Sequence, residues 1–184
     1  MRIITGSARG TRLKSPVGEG TRPTADRTRE ALFSMLGARV HEARVLDLFA
    51  GTGALALEAL SRGAAHAVLV DRTTYAILTE NAQRTKLAAR AEIRRGDVYG
   101  QVAALAREGR TFDLIFADPP YARGDNKRVL AALDAGALLA ADGLLVLEQG
   151  ADEPLIEHSG GFLLMRERRY GAACVCFYTK AVQE

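Results

Sequence analysis

The stretch RVLDLFAGTGALALEAL, residues 44–60, decides how this chain is read. An apolar run of strand character, Arg44–Phe49, meets a glycine-rich turn and then an amphipathic helix over residues 54–62, closed by Gly63. Gly51 and Gly53 let the backbone turn sharply and approach a ligand closely where strand becomes helix. Residues 51–56 match Gly-x-Gly-x-x-Ala, and Asp71 lies 18 positions past Gly53 at the end of the next apolar run. An acidic residue there is placed to accept hydrogen bonds from ribose hydroxyls. A nucleoside-containing cofactor follows, with a nicotinamide dinucleotide and S-adenosylmethionine both in competition. A merely tight strand–helix turn is the plain alternative.

Working outward, the alternation continues. HAVLVD (66–71), AEIRRGD (91–97), FDLIFAD (112–118) and GLLVLEQ (143–149) read as strands. Helices are expected over 73–88, with apolar positions Ala76, Ile77 and Leu87, after Asp97, and around Val129 to Leu138. Near-continuous apolar strands separated by helices predict a mostly parallel sheet covered on both faces. FLLMRERRYG and AACVCFYTK close the chain as an antiparallel edge pair, for seven strands in all. Upstream, Arg2–Thr5 and Thr11–Lys14 predict a small β-hairpin joined by GSARG, followed by a helix with Thr24 as N-cap and Leu32, Met35 and Leu36 as its stripe. No repeat or linker interrupts 1–184, so one domain is expected.

Composition narrows the class. Apolar content of 48% with 26% charged residues suits a soluble globular chain rather than a disordered one. No apolar run is long enough to span a membrane and no secretory leader is visible, so a cytoplasmic protein without membrane contact is expected. Cys174 and Cys176, two apart on one strand, are poorly placed for a disulfide, and no His or Cys spacing suggests a metal. Residues 1–30 hold seven basic against three acidic residues, whereas the other 154 hold 18 against 19. A basic segment on a neutral body suggests a polyanion partner, although a solvated basic surface is equally compatible with it.

Asp118-Pro119-Pro120-Tyr121 ends the fourth strand. Two prolines stop a strand by themselves. Here, however, the tetrapeptide follows strand ends that carry Asp47, Asp71 and Asp97, on the edge where open α/β sheets bind ligands. An exocyclic amine on a base is a weak nucleophile, its lone pair delocalised into the ring. The Asp118 carboxylate and the Pro119 carbonyl supply acceptors for its protons, Pro120 fixes that carbonyl, and Tyr121 offers a stacking surface.

On these residues the chain resembles a known family. MRIITGSARGTRLKSP, RPTADRTREALFSML, LDLFAGTGALALEALSRGA and DLIFADPPY together are similar to the bacterial 16S rRNA guanine-N2 methyltransferases, class I enzymes that use S-adenosyl-L-methionine. The match runs from residue 1 to about residue 150 and more loosely beyond; from Tyr170-Gly171 onward no pocket residues align. The resemblance implies a Rossmann-like fold and methylation of 16S rRNA, within the assembled or assembling small subunit, by a monomer. It implies that Arg22, Pro23 and Thr24 close over the cofactor's methionine end and that Asp47, Phe49, Gly51 and Gly53 form the methionine and ribose pocket. Asp71 and Arg72 would contact ribose, Asp97 and Val98 adenine, and Asp118 to Tyr121 the target base. Arg2, Arg9, Arg12 and Lys14, on a hairpin within residues 1–20, would meet RNA, leaving 21–184 as the catalytic core. A DNA adenine or cytosine amine methyltransferase is the rival within the class, but the chain has little length to spare for a sequence-reading module. A nicotinamide-dependent dehydrogenase leaves Asp118 to Tyr121 without a task, and a non-catalytic RNA-binding module leaves the strand-end aspartates unexplained.

Overall fold

In the computed structural model, residues 1–16, 23–120 and 125–181 are described, without the side chains of 23–25. The glycine turn sits at the centre of the sheet. β1 (Arg44–Leu48) leads into α2 (Ala54–Ser61), then β2 (His66–Asp71), α3 (Tyr75–Arg84) and β3 (Ala91–Arg95). α4 (Val98–Arg107) carries the chain back across to β4 (Phe112–Ala117), and α5 (Asp125–Ala135) leads to β5 (Leu139–Gly150). β6 (His158–Ser159), β7 (Phe162–Tyr170) and β8 (Ala173–Lys180) follow, and α1 (Pro23–Leu36) precedes the whole series.

The strand order is β3-β2-β1-β4-β5-β8-β7-β6. The first five strands in space pair in parallel, and β8, β7 and β6 pair antiparallel beyond β5. Strand order reverses between β1 and β4, which opens a crevice at their carboxyl ends. Alternate residues of each central strand feed two cores. Val45, Leu69, Phe116 and Val146 meet α1, α2 and the N-terminal arm on one face, while Leu46, Val68, Ile115 and Leu147 meet α4 and α5 on the other. Burial on both faces is why these strands read as continuous apolar runs. Among the described residues no helix is long and apolar enough to cross a membrane.

Four expectations need correction. The sheet has eight strands, not seven, because a turn at Gly160 (φ 57°) and Gly161 lets His158–Ser159 pair with Phe162–Leu163. Asp134 of α5 lies so close to Gly160 that a Cβ there would collide with its carboxylate. The N-terminal hairpin is less regular than expected: Arg2 and Arg12 form one antiparallel bridge, flanked by bonds from Ile3 N–H to the Thr11 carbonyl, Gly10 N–H to Ile3 and Leu13 N–H to Met1, while the N–H groups of Ile4 and Thr5 turn to Glu58 of α2. α1 starts at Pro23, so Thr24 lies in its first turn rather than capping it, in keeping with proline's preference for the opening helical position. α3 is shorter than expected and buries Leu78, Asn81 and Ala82 while Ala76 is exposed. A buried amide on the inward face had disguised the stripe.

Candidate active site at the strand carboxyl ends

The turn after β1 is tightly wound: Phe49 (φ 61°), Gly51 (φ 55°) and Gly53 (φ 78°) all adopt left-handed backbone. Phe49 gains no glycine freedom there, and such non-glycine outliers cost of order 1 kcal/mol and concentrate at ligand sites. A side chain at Gly53 would press within 3.0 Å of Leu69 and 2.9 Å of Leu78, so the turn packs directly on the core.

Asp71 at the end of β2 holds this turn. Its Oδ2 accepts the Gly51 N–H at 3.0 Å, and its Oδ1 accepts the N–H groups of Thr73 at 2.8 Å and Thr74 at 3.0 Å. Burial pushes this carboxyl up, but the backbone donors from Thr73, Thr74 and Gly51 outweigh it and hold the group below the usual carboxylate range. Asp97 caps α4 by accepting the Gly100 N–H at 3.0 Å.

Asp71, Asp97 and Asp118 line one cavity of about 530 Å³, a size that suits a cofactor of nucleoside dimensions. Phe49, Arg72 and Val98 complete the wall after β1, β2 and β3, and Pro119 and Pro120 extend it past Asp118. Thr73 lines it as well; sequence reasoning had missed it, though it directly follows Asp71-Arg72. Gly51 and Gly53 lie behind the wall as the turn that shapes it. Arg22 and Tyr121 fall outside the described residues, as does the side chain of Thr24.

Asp47 is placed differently from the expectation of a pocket-lining residue. It is buried beneath the turn, and its Oδ2 accepts the Ala56 N–H at 3.0 Å, bracing the first turn of α2. Burial drives its carboxyl up to about 7 against that hydrogen bond, with the charges of Asp118 and Asp71 adding to the rise. Asp118 is exposed at the cavity wall, yet the protein around it crowds its carboxylate; that crowding, and then the charge of Glu148, push it upward too. Glu148 on β5 is a site neighbour the sequence reading did not single out.

The four basic residues expected on RNA are all exposed. Lys14 is paired with Glu80 at 2.6 Å, and Arg84 on α3 donates to the Arg12 carbonyl, adding a cation beside the arm. The arm is bolted to the helix that follows the glycine turn. Fully buried Glu58 accepts the N–H groups of Ile4 at 2.7 Å and Thr5 at 3.0 Å and pairs with Arg62. Buried Asn81 exchanges hydrogen bonds with the Lys14 backbone and donates to the Thr52 carbonyl at 2.9 Å, so one amide joins arm and turn.

A family model described as "Conserved hypothetical protein 95" matches residues 1–179. "Putative rRNA methyltransferase YlbH" of Bacillus subtilis is 39% identical over 182 residues, spanning 98% of this chain and 99% of its own. "Ribosomal RNA small subunit methyltransferase D" of Escherichia coli K12 is 36% identical over 185 residues, spanning 100% and 91%. The solved structure of "Putative methyltransferase yhhF" from Escherichia coli superposes with a TM-score of 0.86 at 35% identity, covering 100% of this chain and 99% of that one.

Proposed function

The chain belongs to the Conserved hypothetical protein 95 family, and on that premise we propose that it methylates the exocyclic N2 amine of a guanine in 16S rRNA of the small ribosomal subunit, using S-adenosyl-L-methionine. One observation carries the reading: a single cavity is lined by strand-end Asp71 and Asp97 at one end and by Asp118-Pro119-Pro120 at the other. The donor set fits the cofactor. The left-handed turn at Phe49–Gly53 opens the wall, while Asp71 and Asp97 offer carboxylate oxygens to ribose hydroxyls and to an adenine amine.

S-adenosyl-L-methionine, when bound, supplies an electrophilic methyl group on sulfur. The protein's share is holding and orienting. Asp71 and Arg72 would hold the ribose, Asp97 and Val98 the adenine, and the segment with Arg22 and Thr24 the methionine end. Asp118 and the Pro119 carbonyl would accept the amine's protons and turn its lone pair out of conjugation, an interaction strongest in the transition state. Tyr121 would stack on the flipped base. Once methylated, the cationic amine is acidic and releases its proton without a strong base. Arg2, Arg9, Arg12 and Lys14 would engage RNA phosphates, with residues 1–20 and 21–184 acting as one unit.

The test is a methylation assay on small subunits from a strain lacking the modification, with labelled cofactor and nucleoside analysis of the product. N2-methylguanosine is expected; label on adenine or cytosine, or none on rRNA, contradicts the reading.

A further inference from the structure

Guanine, adenine and cytosine all carry an exocyclic amine, so an acceptor for that amine does not choose among them. β4 and β5 run parallel with Ala117 opposite Leu147, and Phe116 and Val146 project into the same core. One step further along, the two-residue alternation brings Asp118 and Glu148 out on that face, on neighbouring strands just past the last β4–β5 pair. The charge of Glu148 is felt at Asp118, and Glu148 is itself half-buried. Two adjacent carboxylates repel unless donors lie between or before them. Guanine presents such a pair of donors, its ring N1–H beside the N2 amine. Adenine and cytosine present an amine beside a bare ring nitrogen, which is an acceptor.

We propose that Glu148 is the residue that selects guanine, its carboxylate accepting the ring N1–H while Asp118 accepts an N–H of the amine beside it. The inference rests on the guanine-N2 reading above. A base with an acceptor at that ring position would set a nitrogen lone pair against a Glu148 oxygen, the kind of mismatch that sites built for hydrogen bonding reject strongly.

The probe is 2-aminopurine, which keeps the 2-amine but has a bare N1, placed at the target position of ligated 16S rRNA in reconstituted small subunits. The wild type should favour guanine over 2-aminopurine by about 10²-fold or more in kcat/KM. Glu148→Gln, whose amide can donate to the bare N1, should bring that ratio within about tenfold and raise absolute turnover of 2-aminopurine. Glu148→Ala should lose guanine turnover without gaining 2-aminopurine. A ratio unchanged in Glu148→Gln, measured per folded molecule, overturns the role of Glu148 while leaving guanine-N2 transfer intact. A wild type that puts no methyl on guanine overturns both.

Discussion

The two ends of the cavity use the same residue type in opposite ways. At the end proposed to hold the cofactor, Asp71 receives three backbone N–H groups and is held below the usual carboxylate range. At the end proposed for methyl transfer, no described residue's N–H donates to the Asp118 carboxylate, which crowding and Glu148 push upward. Aspartate at a strand end is therefore not one device. Where the next turn aims backbone donors at it, it becomes a fixed anion that shapes the loop; where two prolines follow, those residues have no N–H to give it, and none comes from the other described residues.

Mutation should separate the two ends. The largest effect is expected for Asp118→Ala, which should lower the single-turnover rate by about 10²-fold or more with saturating substrates. Its melting temperature and cofactor affinity should barely change, and a fully active variant would refute the assignment. Asp71→Ala should weaken cofactor binding by about 1.5–3 kcal/mol, read by calorimetry. It should also lower the melting temperature, because Gly51, Thr73 and Thr74 lose their acceptor. An unshifted melt would mean that the turn holds itself.

Asp47 gives a pH signature of intermediate size. Its folded-state carboxyl is raised to about 7, so the native state keeps a proton that the unfolded chain releases near pH 4. Stability should therefore fall as pH rises from about 4 to about 7, by up to roughly 1.4 kcal/mol per pH unit for this one group. Asp47→Asn keeps an acceptor for the Ala56 N–H and should reduce that slope in denaturant titrations, leaving the share that comes from Asp118. The smallest effect belongs to the arm. Arg9→Ala and Arg12→Ala should each reduce the salt dependence of RNA binding by about 0.7–0.9 per lost phosphate contact, and Lys14→Ala by less, since Glu80 already neutralises Lys14.

Much of this was legible in the sequence where chemistry and periodicity agree. β2 was read with its observed bounds, because burial on both faces makes an unbroken apolar run. Asp71 and Asp118 stood out as carboxylates closing such runs, and Asp97 by its place after the third strand in the alternation. What escaped was polar and at least half-buried. Asn81, Glu58 and Glu148 sit on helices or strands at positions that a hydrophobic pattern assigns to solvent or leaves unassigned, and their partners include Ile4, 54 residues from Glu58, and Lys14, 67 residues from Asn81. The two-residue β6 depends on a glycine turn against α5, a contact with no local signal.

The division of labour is tested most directly by titrating S-adenosyl-L-methionine against Asp71→Asn and Asp118→Asn in single turnovers on the same small subunits. Asp71→Asn should approach the wild-type rate as cofactor saturates, because it damages holding alone. Asp118→Asn should stay slow at every concentration, because its defect lies in the step itself. Full recovery of Asp118→Asn by cofactor, or none of Asp71→Asn, would contradict the assignment of the two ends.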